Sequence, residues 1–402
     1  MPAPPPRSPG GVPVLLLACT VLAALNFTQA ISTIYLQSHG VALGAIFSLE
    51  SVMLGAMLVA EVPSGHLSDR FGPRRLVIAA FGAQFASQTV FAIADSYAGF
   101  AVASVLFGVS LAALSGAREI YVMELRAAQG EQRHGPAHSF ARLNQAMLVG
   151  GLVSAGVGGQ LATMGLAVPV RVTAVFAGLG FVLSWFLPDG TRAVPADASG
   201  AGGSVRTALA AIRRSPVLIF FSALPQFALL SAINPILQPR LLSEGVTLAH
   251  IGWIIAGGTL VAVVMSQLTR RLEGWLGLER AYAVSLACGA AGYVVASFSG
   301  AVTVVVGSYV IAVALSLCLP MSGALKVAAA PGGAQATTLS VSSFCGSLVA
   351  IVANLAIGAL TDVSVEAALR AVAVTIVVAV LLWTAAVRVG RRAERVQEVP
   401  VR

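Results

Sequence analysis

Apolar runs of about 20 residues, the length a helix needs to cross a hydrocarbon core of roughly 30 Å, recur from Val12 almost to the C-terminus of this chain. They lie near 12–36, 43–63, 75–94, 97–122, 138–162, 167–187, 216–240, 248–270, 279–298, 301–320, 335–360 and 367–387, parted by short turns bearing Gly, Pro and Arg. With 57% of 402 residues hydrophobic and 10% charged, the composition is too apolar for an ordinary water-soluble domain. The pattern predicts an all-α polytopic membrane protein with twelve transmembrane helices.

The longest weakly hydrophobic stretch, 189–215, holds Pro195, the run Ser199-Gly-Ala-Gly-Gly203, and Arg192, Arg206, Arg213 and Arg214. It reads as a flexible linker. The expected organisation is therefore a disordered leader at 1–11, a six-helix bundle at 12–188, the linker, a second six-helix bundle at 216–388 and a basic tail at 389–402. The leader carries three consecutive prolines and runs into an apolar segment too long for a signal-peptide core, so an uncleaved first helix is expected.

Lys and Arg collect in cytoplasmic loops. With the N-terminus inside, 21 of the 24 basic residues fall on the cytoplasmic side, and only Arg171, Arg240 and Arg370 fall outside. Both termini are expected in the cytoplasm, in the inner (plasma) membrane of the cell. The net charge of +8 serves topology and contact with anionic lipid heads, and no nucleic-acid partner is read from it.

Several chemistries lack their residues. Lys326 is the single lysine and sits in Gly-Ala-Leu-Lys-Val, so there is no phosphate-binding Walker loop. No His-Glu-x-x-His or Gly-x-Ser-x-Gly occurs, and Cys19, Cys288, Cys318 and Cys345 fall in apolar runs without metal-ligand spacing. The cysteines read as small apolar filler. No enzyme, metal site or bound cofactor is expected.

Between the second and third runs stands Gly65-His-Leu-Ser-Asp69-Arg70-Phe-Gly72-Pro-Arg74-Arg75. It resembles the loop between helices two and three of the major facilitator superfamily, usually Gly-x-Leu-Ala/Ser-Asp-Arg-x-Gly-Arg-Arg. Pro73 departs from that pattern, standing where an Arg is common. Gly65 and Gly72 are expected to let the backbone bend tightly, and Asp69 to accept charge-assisted hydrogen bonds. The resemblance implies a switch loop whose contacts bias inward against outward states. Arg74 and Arg75 equally suit a role in topology alone.

A second stretch, Ser115-Gly-Ala-Arg118-Glu119-Ile-Tyr121-Val-Met-Glu124, is similar to a Gly-Ala-x-Glu-Ala-Trp-x-x-Asp pattern of some facilitator transporters, with Tyr121 for Trp and Glu124 for Asp. The family's fold would let Arg118 meet Asp69. Glu119, near a membrane interior, is a candidate proton carrier, and an interfacial ion pair is the alternative. Glu50 and Glu61, eleven residues apart, share one helix face that should look into the bundle or a watery cavity. Arg142 suits either a carboxylate partner or another topology charge.

Asn26 and Gln29 in the first run, Gln226 and Asn234 in the seventh, and Asn144 and Gln145 in the fifth are the expected cavity lining. Pro225, Pro235 and Pro239 should kink the seventh run. Glycines 150, 151, 156, 158 and 159 crowd the fifth, without the Pro that proton-driven exporters of the superfamily carry there. Arg270-Arg271-Leu-Glu273-Gly274-Trp-Leu-Gly277 sits where a degenerate copy of the Gly65 loop belongs. Taken together, the resemblance implies a monomeric secondary transporter with two bundles rocking about a cavity, driven by a proton gradient. Export of a small amphipathic compound against protons is favoured. Uptake of a nutrient by symport or uniport, and a non-transporting sensor with the same fold, are the alternatives.

Overall fold

In hydrocarbon every backbone N–H and C=O must be satisfied within the chain, so apolar runs of this length fold as helices. The computed structural model describes residues 14–129, 136–189, 233–329 and 335–397. Among the described residues every regular element is helical. α1 (Val14–Ala24) leads through a 3-10 turn (Phe27–Ala30) to α2 (Ser32–Ser38), and α3 (Leu43–Phe71), α4 (Pro73–Ile93), α5 (Tyr97–Gln129), α6 (Pro136–Ala162) and α7 (Ala167–Ser184) follow. Then come α8 (Ile233–Ser243), α9 (Leu248–Ser266), α10 (Thr269–Leu276), α11 (Leu278–Ala296), α12 (Ala301–Ala329), α13 (Gln335–Thr361) and α14 (Val365–Gln397).

Eight described helices are long and apolar enough to cross a membrane, and nine if the bent pair around Ile31 is one span. α6 has the length for a span, but Arg142, Asn144 and Gln145 make its first half polar. Of the seventh expected run only α8 is described. The leader, most of the linker and Gln226 lie outside the described residues. By contacts the chain divides into one unit of Met1–Ser199 with Val246–Ala256, and another of Gly200–Gly245 with Gly257–Arg402.

In the first unit, small residues set the helix spacing, as expected where lipid leaves no hydrophobic drive between helices. A Cβ on Gly108 of α5 would overlap the Met53 carbonyl of α3 and approach the Met57 nitrogen to 2.9 Å. Behind this crossing, Leu16, Cys19, Val77, Phe81, Tyr121 and Leu187 form one buried cluster. At the opposite end the rings of Tyr35, Phe91 and Phe100 pack tilted or edge-on, their centroids 5.1–6.2 Å apart. Large apolar side chains such as Val59 and Val182 stay exposed, as lipid-facing residues should.

α3 does not end where its hydropathy does. It runs as helix through Pro63 and Gly65 to Phe71, so the expected bend at Gly65 does not occur. The reversal falls wholly on Gly72, at φ 88°, whose N–H bonds the Ser68 carbonyl at 2.9 Å while Pro73 starts α4. Nothing lies within 4 Å of a Cβ at either glycine. Gly72→Ala should therefore cost about 1 kcal/mol from backbone conformation alone, and Gly65→Ala should gain a similar amount as a helix former. Thermal midpoints of the two variants, shifting in opposite directions, check this.

In the second unit α11 and α12 cross at Gly292 and Gly307, where a Cβ on Gly307 would lie 2.5 Å from the Ala296 nitrogen. Tyr282 wedges against Trp383 of α14, rings 5.6 Å apart and nearly perpendicular. Gly277, at φ 77° and bonded from its N–H to the Glu273 carbonyl, repeats the conformation of Gly72. The two halves thus share one turn, although Gly274 occupies the place of Asp69 in the second. Arg240 closes one end of this unit: it pairs with Glu366 and donates to the Phe298 carbonyl at 3.2 Å, and Arg370 donates to Ser297 Oγ at 3.2 Å. These are two of the three basic residues that the charge count left on the minority side.

Candidate functional site

The Gly72 turn positions Arg74 on the first turn of α4, pointing at the end of α7. Its Nε donates to the Leu187 carbonyl at 2.7 Å, one Nη to the Trp185 carbonyl at 3.0 Å, and the other lies 3.2 Å from the Asp189 carboxylate. Tyr121 of α5 donates its hydroxyl to the Pro188 carbonyl at 2.6 Å. A helix end leaves carbonyls without intrahelical donors, and these two side chains supply them. Gly72, Arg74, Arg75, Asp189 and the buried Glu124 line a cavity of about 640 Å³. Arg126, also buried, donates to Ser139 Oγ of α6 at 2.6 Å. Arg70 lies 5.2 Å over the Phe71 ring, and Arg70 and Arg75 are exposed.

The Asp189 side chain is 89% exposed, so its pair with Arg74 belongs to the class of surface pairs worth under about 1 kcal/mol. The two carbonyl bonds hold the joint. Asp189→Asn should leave stability nearly unchanged, whereas Arg74→Gln, which strands both carbonyls, should cost about 1–3 kcal/mol. Paired thermal unfolding curves test that asymmetry.

Asp69 faces elsewhere. With Glu61, Ser64, Ser115 and Gly116 it lines a groove of about 190 Å³ between α3 and α5. The expected contact with Arg118 is not formed: Arg118 reaches the Met147 sulfur on α6 at 3.2 Å. The reason is helical phase. Ala112, Ser115, Gly116 and Ile120 carry one face of α5 toward α3, and Arg118 projects about 200° away from Gly116. Glu119 is exposed.

Glu50 is half-buried in α3 between the buried Leu49 and Ser51, with no hydrogen bond or ion pair among the described residues. It stands about 10 Å along the helix from Leu43 and about 16 Å from Glu61. The structure thus separates the two carboxylates: Glu61 opens on the groove and Glu50 lies deep.

The first span is broken. The stretch Val14–Ala30 and α2 meet at 54° across Ile31, and Asn26 and Ile31 both leave helical geometry. Three helices brace the break. Gln84 of α4 donates to the Ala23 carbonyl at 2.9 Å, the group Phe27 N–H would have taken in a continuous helix. Thr173 of α7 accepts from the Thr28 N–H at 3.1 Å. α6 comes close enough that a Cβ on Gly158 would overlap the Phe27 carbonyl, and one on Gly150 would lie 2.7 Å from the Ala24 Cβ. Within the break, Asn26 Oδ1 is buried without a hydrogen-bond partner, and Gln29 is exposed.

Arg142, Asn144 and Gln145 are exposed on α6. Gln226 and the Asn234 side chain are outside the described residues. The spacing of titratable groups offers no metal cluster among the described residues. Gln84, Thr173 and Asp189 were not singled out from the sequence. Gln84 carried a faint signal as an amide inside an apolar run, while Asp189 and Thr173 carried none, since their partners are more than 100 residues away.

A sequence model described as Major Facilitator Superfamily matches residues 14–233. No curated protein sequence matches. Among solved structures, the nucleoside transporter NupG is similar with a TM-score of 0.77 at 12% identity, over 92% of this chain and 98% of that one. A D-xylose-proton symporter gives 0.69 at 14% identity, over 92% and 96%. The POT family transporter PepTSo gives 0.69 at 13% identity, over 96% and 99%. At such identities the likeness is one of fold.

Proposed function

The chain belongs to the major facilitator superfamily of membrane transporters, and from that premise we propose that it is a twelve-helix secondary transporter exporting a small amphipathic compound in exchange for protons. The observation that carries the reading is Glu50, an acid deep in an apolar helix with no cation beside it among the described residues. A carboxyl on a span that changes its exposure between two states can take up a proton in one and release it in the other. Glu50 takes this role in preference to Glu119, which is exposed, and to Glu61, which opens on the α3–α5 groove.

The substrate contacts assigned to this reading are Asn26 and Gln29 at the break in the first span, with Gln84 and Thr173 as positioning residues. A hydrogen-bond acceptor buried without a donor costs roughly 1–3 kcal/mol, and a substrate N–H or O–H offsets it. Arg74 and the Gly72 turn are the conformational joint, and Asp69 gains its partner in the alternate state. On this reading the protein sits in the plasma membrane with both termini in the cytoplasm, and a monomer suffices.

The test uses everted membrane vesicles with an imposed acid-inside gradient, challenged with lipophilic cations, antibiotics, sugars and amino acids while lumenal pH is followed. Substrate-dependent alkalinisation that Glu50→Gln abolishes and Glu119→Gln preserves is expected. Silence across the panel, with the protein present in the vesicles, would sink the exchange reading in favour of symport or a sensor.

A further inference from the structure

We propose that α10 is a membrane-surface helix that binds the anionic phospholipid headgroups of its leaflet. It spans Thr269–Leu276 and has no buried residue, although it follows the membrane-length α9 after only Gln267 and Leu268. At 100° per residue, Leu268, Leu272, Trp275 and Leu276 fall within an arc of about 100°, while Arg270, Glu273 and Gly274 occupy the opposite side and Arg271 the flank. Trp275 is 80% exposed. An indole left in water at the mouth of a span, on the same stripe as three leucines, has its natural solvent at the headgroup level, with the ring among acyl chains and the N–H toward water. The turn bonds of the Gln267 and Leu268 N–H groups to the Val264 and Met265 carbonyls interrupt the helical ladder between α9 and α10, and Gly277 then turns the chain at φ 77° into α11.

Charge selects the lipid. Among the described residues Arg270 and Arg271 form no ion pair and no hydrogen bond. Two guanidiniums beside an inserted tryptophan match a phosphate-bearing anionic headgroup, and a basic amphipathic helix of this kind gains affinity from anionic lipid. The equivalent turn of the first unit, Gly65 to Gly72, carries Asp69 and ends an unbroken 29-residue helix. The surface helix is a property of the second half alone.

The experiment places the full chain in nanodiscs of phosphatidylcholine, alone or mixed with phosphatidylglycerol. First, tryptophan emission is compared between the wild type and Trp275→Phe with brominated phosphatidylcholines; the difference signal should be quenched by bromines near the headgroup and much less by bromines near the chain end. Second, the rise in melting temperature with phosphatidylglycerol is titrated; Arg270→Gln with Arg271→Gln should weaken the apparent lipid affinity about fivefold per arginine, and the paired Lys variants should retain it. Inorganic phosphate added to phosphatidylcholine discs should produce no rise. A Trp275 signal that neither bromine position quenches, an unchanged phosphatidylglycerol response in the double Gln variant, or an equal response to free phosphate would each overturn the proposal.

Discussion

Glu50→Gln is expected to abolish proton-driven substrate accumulation, by about 100-fold or more, while substrate-for-substrate exchange continues. Gln keeps the size and the hydrogen-bonding shape of the carboxyl but cannot carry a proton, so the cavity still binds and the bundles still move. The uncoupled variant should run down concentration gradients at any pH. Counterflow and gradient-driven uptake, measured on the same proteoliposomes, separate the two. If both persist in Glu50→Gln, then Glu61 or Glu119 is the carrier and the depth argument fails.

The largest structural effect is expected at Gly108. Its absent side chain is what lets α5 lie against the backbone of α3, and the atoms a Cβ would meet are the Met53 carbonyl, the Met57 nitrogen and the Ala56 Cβ at 3.0 Å. Backbone on a rigid helix cannot step aside as a flexible side chain does, so overpacking here falls at the severe end, above about 4 kcal/mol. Gly108→Leu should give no monodisperse protein. Gly151→Leu is the control: it is also helical and apolar, but a Cβ there meets nothing within 4 Å, and the variant should purify with a normal melting transition. Equal behaviour of the two variants would show that helix length and hydropathy, not the crossing, dictate assembly.

The fold was legible because hydrocarbon imposes one rule on every span: apolar length. Where the helices outran that rule, hydropathy went silent. α3 continues past Glu61 to Phe71, because Ser64, His66, Ser68 and Asp69 are polar yet compatible with helix once the chain leaves the lipid. The break at Asn26 was hidden for the opposite reason. Leu25 to Ile31 contains no Gly or Pro, and the local sequence reads as continuous helix; Gln84, Thr173 and the α6 glycines create the interruption from outside. Asn26 and Gln29 were visible as polar residues in an apolar run, but their bracing was not. Arg74 was visible as a charge, and its docking onto the Leu187 and Trp185 carbonyls required the tertiary fold. Arg118 departs from the contact with Asp69 that the family's fold implies because its helical phase turns it toward Met147 of α6.

One sign decides the central claim. Purified protein in proteoliposomes, loaded with the compound found in the vesicle panel and diluted into compound-free buffer with no imposed ion gradient, lets substrate flow outward while lumenal pH is read. An exchanger must draw protons inward as substrate leaves, so the account predicts lumenal acidification in the wild type and none in Glu50→Gln. Lumenal alkalinisation would mean that protons leave with the substrate, and the chain would be a symporter.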